Sequence, residues 1–202
     1  MRNSVLLSPI ADEHIDRLFL QARTHSSWLD QSVPEHLLQK LYAITSMGPT
    51  SANCSPLRII FVCSPQAKQR LLPHMAPGNF DKTRLAPATA ILAYDLNFPE
   101  QLHKLYPHEP SAPSWFTGSA AATREAALCN SSLQGGYFML AARSLGLDCG
   151  PMGGFNAKAI AKEFFPDRPY EVNFLCNLGY GDHRALHPRL PRLSFDEACI
   201  VE

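Results

Sequence analysis

Four short segments carry side chains that could do chemistry. The first is Ala22-Arg23-Thr24-His25-Ser26-Ser27-Trp28. A guanidinium fork, hydroxyls and an imidazole lie close together there, an inventory suited to a phosphate. A polar turn with an arginine facing a helix C-terminus would use the same residues. The second is Gly48-Pro49-Thr50-Ser51-Ala52-Asn53-Cys54-Ser55-Pro56. Its short Thr, Ser and Asn side chains can pair with the edge of a heteroaromatic ring. They also suit capping and turn formation, although the loop is longer than capping needs. The third is Gly150-Pro151-Met152-Gly153-Gly154-Phe155, where adjacent glycines can present bare backbone N–H groups to a ligand or simply turn the chain. The fourth is Arg189-Leu190-Pro191-Arg192, a basic stretch that could close over an anion or lie solvated.

The elements that must position these segments follow from periodicity and from 17 prolines gathered at the joints. Asp12 to Gln21 has a helical period through Ile15, Leu18 and Phe19. Pro34 opens a second helix at its first position, with Leu37, Leu38, Leu41, Tyr42 and Ile44 on the buried face. Arg58 to Cys63 reads as a strand, Pro65 to Leu72 as a short helix, and Ala88 to Tyr94 as a buried strand. Thr117 to Leu145 is the longest helical stretch. Its second half, Tyr137 to Ala142, is apolar all round and is expected to be buried on most sides. Gly135 and Gly136 inside it point to the close approach of another backbone, and Gly146 to a C-terminal cap. Leu147 to Gly150 reads as a strand entry, Ala157 to Phe165 as a helix, and Val172 to Leu178 as a strand. From about residue 184 the chain reads as an extended tail. The pattern defines one layered domain over residues 1–202, of α/β or α+β class.

Composition narrows the partners. Eighteen basic residues balance 18 acidic ones, so neither nucleic acid nor an anionic membrane is an expected partner. Apolar stretches break well short of the ~18 residues that span a bilayer. The apolar run ending at Leu7 is too short for a signal peptide, and a cytoplasmic protein is expected. The six cysteines form no CxxC pair, and none has a histidine at metal-ligand spacing. Reduced, buried thiols and no structural metal are expected. The charged share of 18% is low, which fits a surface partly used in an interface. There is no GxGxxG, Walker loop, HExxH or GxSxG, so a nucleotide-like cofactor would need another arrangement.

Order along the chain is more specific than any one segment. An Arg-bearing turn, a P-[ST]-S-x-N loop, G-L-D-x-G-P-M-x-G-F after a long helix and a late R-L-P-R together resemble the nitroreductase family of FMN enzymes. The resemblance covers most of the chain. Gly48 to Pro56, Ser114-Trp115-Phe116-Thr117, Gly146 to Met152, Asn177-Leu178-Gly179-Tyr180-Gly181-Asp182 and Arg189 to Phe195 look like the branch that contains malonic semialdehyde reductase.

The resemblance implies an α+β fold of α/β/α layers, with a central, mostly antiparallel sheet flanked by helices. It implies an intertwined homodimer in which each of two FMN sites draws on both chains. Arg23 is then expected at the phosphate, with Thr24, His25 and Ser27 beside it, and Arg189 as a second phosphate ligand. Pro49, Thr50, Ser51 and Asn53 would come from the partner. Pro151, Met152, Gly153 and Gly154 would face flavin N5 and O4, and Asn79 the pyrimidine edge. Many members carry a basic residue where this chain has Ser27, and Glu where it has Gly153. The phosphate is therefore expected to lean on Arg23 and Arg189, and the pocket above the ring to be more open. Trp115 and Phe116 are candidates for pocket walls, with core packing expected of at least one.

The implied reaction is two-step hydride transfer from NADH or NADPH to a small-molecule electron acceptor, with no side chain acting as nucleophile. A small aldehyde such as malonic semialdehyde, reduced to 3-hydroxypropanoate, is the first expectation. A broad nitro- or quinone reductase, a non-catalytic flavin-binding protein and an unliganded interaction module are the rivals.

Overall fold

A computed structural model describes residues 8–202. The apolar run ending at Leu7 lies outside the described residues. Helix α1 (Asp12–Ile15) continues as a π-helical turn to Leu20. After α2 (Glu35–Thr45) come strand β1 (Leu57–Val62), α3 (Pro65–Leu71), α4 (Pro77–Leu85) and β2 (Ala88–Asp95). The short α5 (Leu102–Leu105) precedes the long α6 (Ala120–Ser144). Then follow β3 (Asp148–Met152), α7 (Ala157–Phe164), β4 (Tyr170–Gly179) and, within the tail, α8 (Phe195–Ala198).

The four strands form one antiparallel sheet in the order β1-β2-β4-β3. Central β2 is buried along its whole length, as its unbroken apolar run requires. Ala88, Ala90 and Leu92 face a core shared with Leu38, Leu41 and Phe138 of α2 and α6. Ile91 and Ala93 face the opposite core, with Leu71, Ile160 and Leu175. Helices thus cover both faces, giving the expected α+β layering. Gly146, at φ +82°, ends α6. Its amide donates to the Arg143 carbonyl and that of Leu147 to the Ala142 carbonyl, a Schellman cap.

Several local expectations change. Pro34 sits at the N-cap of α2 because its ψ of 150° is extended. The buried stripe of α2 is Leu38, Leu41 and Thr45, whereas Tyr42 and Ile44 are exposed. Strand β3 runs from Asp148 to Met152, beyond the expected strand entry. On α6, Phe138, Ala141 and Ala142 are buried but Leu133 and Tyr137 face outward, so the apolar girdle exceeds what one chain can cover. Neither glycine of that helix meets another backbone. A Cβ at Gly135 would fall 2.6 Å from the Phe174 ring, and one at Gly136 would meet nothing within 4 Å. All six cysteines are free, but only Cys54, Cys149 and Cys176 are buried. No helix among the described residues is long and apolar enough to cross a membrane.

Candidate functional site

The Arg-bearing turn lies along β3. Thr24 forms a parallel bridge with Cys149, and the His25 amide donates to the Cys149 carbonyl at 2.9 Å. Further on, the Leu29 amide donates to the Tyr180 carbonyl, and Trp28 pairs with Gly181. The turn is therefore stitched to the end of the sheet that also launches the tail.

Turn and tail then clasp each other through their arginines. The Arg23 guanidinium donates to the His187 carbonyl. Arg189 donates to the carbonyls of Leu20, at 2.6 Å, and Ala22, at 3.0 Å. Each cation is thereby fixed next to the other's segment, and each fork keeps N–H groups to spare for an anion. The Ser27 carbonyl accepts from the Asp182 amide at 3.0 Å, tightening the same junction.

His25 differs from its neighbours in the turn. Only 2% of it is exposed, and its ring packs edge-on to His183 with centroids 4.9 Å apart. Its Nε2 lies 3.4 Å from Asp148 Oδ1. Burial, the largest influence, lowers its pKa, opposed by the nearby Asp148 carboxylate. In the turn it is Arg23 whose side chain can reach an external anion.

The glycine turn follows β3 directly. Met152 is buried, its sulfur accepts from the Thr83 hydroxyl, and its backbone pairs with Leu175 of β4. The Gly154 carbonyl accepts from the Ala76 amide at 3.0 Å and from Asn79 Nδ2 at 2.8 Å. Asn79, on α4 and expected at the pyrimidine edge, is thereby joined to the glycine turn. Neither the Gly153 nor the Gly154 amide donates to an acceptor among the described residues. Gly153 is exposed, and a Cβ there would meet nothing within 4 Å.

The loop before β1 is strained. Ala52, Asn53 and Ser55 have φ of 47°, 53° and 41°, each costing on the order of 1 kcal/mol or more for a residue with a Cβ. Two side chains of α6 hold it: Asn130 Oδ1 accepts from the Ser51 amide at 2.8 Å, and Gln134 Oε1 from the Leu57 amide at 3.0 Å. Thr50 Oγ1 accepts from the Ser55 amide, and Asn53 donates to the Leu105 carbonyl. Pro49, Ser51 and Asn53 are left exposed. Asn130 and Gln134 were not singled out in the sequence; a pair of amides four residues apart on the buried side of an apolar helix was the available signal.

The fold thus gathers Arg23, Arg189, Asn79 and the Gly153–Gly154 turn around β3. Among the described residues, no hydrogen bond joins the Pro49–Asn53 loop to them. That loop enters β1, at the far edge of the sheet. Phe116 packs edge-to-face on Phe98 in a small core, whereas Trp115 is exposed.

Comparison with known proteins gives the class. The model of the Nitroreductase family matches residues 19–180, so the chain belongs to that family and is an oxidoreductase. A Ralstonia nicotianae protein is 57% identical over 187 residues, covering 93% of this chain and 95% of its own. One from Stutzerimonas stutzeri is 52% identical over 194 residues, covering 96% and 98%. Both carry the provisional name NADH dehydrogenase/NAD(P)H nitroreductase. Among solved structures, a provisionally named nitroreductase from Exiguobacterium sibiricum in complex with FMN matches with a TM-score of 0.83 at 21% identity, covering 97% of this chain and all of that one.

Proposed function

We propose that the protein is an FMN-dependent NAD(P)H oxidoreductase whose site is completed by a second copy of the chain. The observation that carries this reading is the pair of adjacent backbone amides, Gly153 and Gly154, that donate to no acceptor among the described residues. They follow the end of β3, whose start lies beside the Arg-bearing turn; together these make a donor set that fits a flavin ring at one end and its phosphate at the other. Arg23 and Arg189 would hold the phosphate, with Thr24 and Ser27 lining the turn beneath them. Gly153 and Gly154, flanked by Pro151 and Met152 and braced by Asn79, would donate to the polar edge of the ring. Bound there, FMN supplies a carrier that takes a hydride from NADH or NADPH and passes it to an acceptor. The amide donors stabilise negative charge as it develops beside them, without moving to do so. Exposed Gly153 leaves room above for reductant and acceptor in turn.

Pro49, Thr50, Ser51 and Asn53 would come from the second copy. Support lies in their position: they stand at the β1 edge, three interstrand spacings, or roughly 14 Å, from β3. The loop carries backbone strain and leaves Pro49, Ser51 and Asn53 exposed. Exposed Tyr42, Ile44, Met47, Leu128, Leu133 and Tyr137 supply an apolar surface for that copy to cover. Six free thiols fit a reducing, cytoplasmic setting.

For the acceptor we infer a small aldehyde of the malonic semialdehyde type, on the strength of the branch-like motifs. The names of the relatives favour a broad nitro- or quinone reductase. Purified protein supplied with NADH or NADPH and each acceptor decides between them: faster reductant oxidation with the aldehyde supports the first, and turnover with nitrofurans or quinones alone the second. Arg23→Ala is expected to weaken FMN binding by roughly ten- to a hundredfold, read by quenching of flavin fluorescence. A colourless protein that does not quench FMN would overturn the flavin reading.

A further inference from the structure

Three side chains meet beneath the Arg-bearing turn, one of them the histidine that the resemblance set beside the phosphate. They are His25 from the turn, Asp148 at the start of β3 and His183 at the start of the tail. One ligand-capable atom from each lies within 4.8 Å of the others. The carboxylate reaches both imidazoles, with Oδ1 3.4 Å from His25 Nε2 and Oδ2 3.9 Å from His183 Nε2. Oδ2 also accepts from the Gly181 amide at 2.9 Å, which fixes the orientation of the carboxylate.

The buried histidine marks this as more than a surface cluster. Both ring nitrogens of His25 are buried and neither has a hydrogen-bond partner. Such a group is destabilising unless something satisfies it. Nδ1 abuts Gly181, where a Cβ would fall only 1.9 Å away, so no ligand fits on that side. Nε2 alone points into the cluster. On the other side the cluster opens to a cavity of about 430 Å3 lined by Glu13, Asp16, Asp148 and His183, with Arg17 and Arg143 at its wall.

We propose that His25, Asp148 and His183 bind a divalent transition-metal ion of the zinc type. Two imidazoles and a carboxylate are an established zinc ligand set, with a fourth position left for water. Bonds near 2.0 Å to a tetrahedral ion put ligand atoms roughly 3.3 Å apart, so the 3.4 Å pair is at coordinating separation already. His183 closes the remaining distance; its side chain is 71% exposed and free to swing. Spacing along the sequence hid the set, because its members are far apart until Thr24 pairs with Cys149. The ion would pin the first residues of the tail to the turn and to β3, and so hold Arg189 close to Arg23.

Zinc chloride titrated calorimetrically into the purified protein, with any flavin it carries, tests this. One Zn2+ per chain is expected, with a raised thermal midpoint and slower proteolysis of the segment 184–192. His183→Ala removes an exposed ligand that the fold does not need, and Asp148→Asn keeps an acceptor for the Gly181 amide. Each is expected to weaken binding by at least the roughly tenfold that loss of an outer-shell partner costs. Exposed Cys63, Cys129 and Cys199 are the competing ligands, so a protein with all three changed to Ser should still bind one Zn2+. No binding to the parent protein, unchanged binding in His183→Ala, or binding lost with the thiols overturns the proposal.

Discussion

Gly153 and Gly154 are neighbours with different obligations. A Cβ at Gly154 would fall 2.5 Å from Asn79 Nδ2 and 3.3 Å from Ala76 Cβ, so alanine there must displace the amide that braces the turn. Gly154→Ala is expected to cost about 1–3 kcal/mol and to weaken flavin binding. Gly153→Ala, pointing into open space, should change stability by about 0.5 kcal/mol or less while altering preference among acceptors. Thermal unfolding and acceptor kinetics on the two variants check the contrast. Arg23, Arg189 and the paired glycines stood out by residue type, but each segment also read as an ordinary turn or tail, and only their order along the chain tied them together. What holds them was not visible. Asn79 reaches the turn only after α4 docks, and Asp148 and His183 join His25 through strand pairing. Long-range partners leave no local pattern.

Helices and strands were largely legible, since periods of 3.6 and 2 reflect burial directly. The departures share a cause. An apolar side chain reads the same whether it faces its own core or another molecule, so Tyr42, Ile44 and Tyr137 were assigned inward yet point out. Gly135 was read as a backbone contact because the sequence does not show that the Phe174 ring occupies its surface. Helix α6 shows the reverse: polar Gln134 is buried and does structural work. It accepts the first amide of β1 and so fixes where the strained loop ends. Gln134→Ala leaves the Leu57 amide buried without a partner, at about 1–3 kcal/mol. Urea unfolding should show that loss, and the loop should exchange its amide protons faster than in the parent protein.

Across the whole molecule, the sheet keeps the two sets of candidate residues at its two edges. The arginines and glycines belong to the β3 edge and the polar loop to the β1 edge, with two strands between. Strand β1 is also an open edge, and the tail exposes Leu190, Leu193, Ile200 and Val201. Surfaces of this kind suit the second copy proposed above, and α/β layering alone could not have revealed them.

The separation of the two edges has a genetic consequence. On the proposed shared site, consider one chain carrying Arg23→Ala with Arg189→Ala, and another carrying Ser51→Trp. Each homodimer is defective at both sites. In a mixed dimer, one site collects both defects and the other collects none. Equal amounts paired at random should recover about a quarter of the normal number of sites, from two proteins that are each inactive alone. Flavin content and turnover measured after co-expression would count them. Recovery would mean that two faulty alleles of this gene can complement each other, a property of proteins whose sites are assembled between subunits.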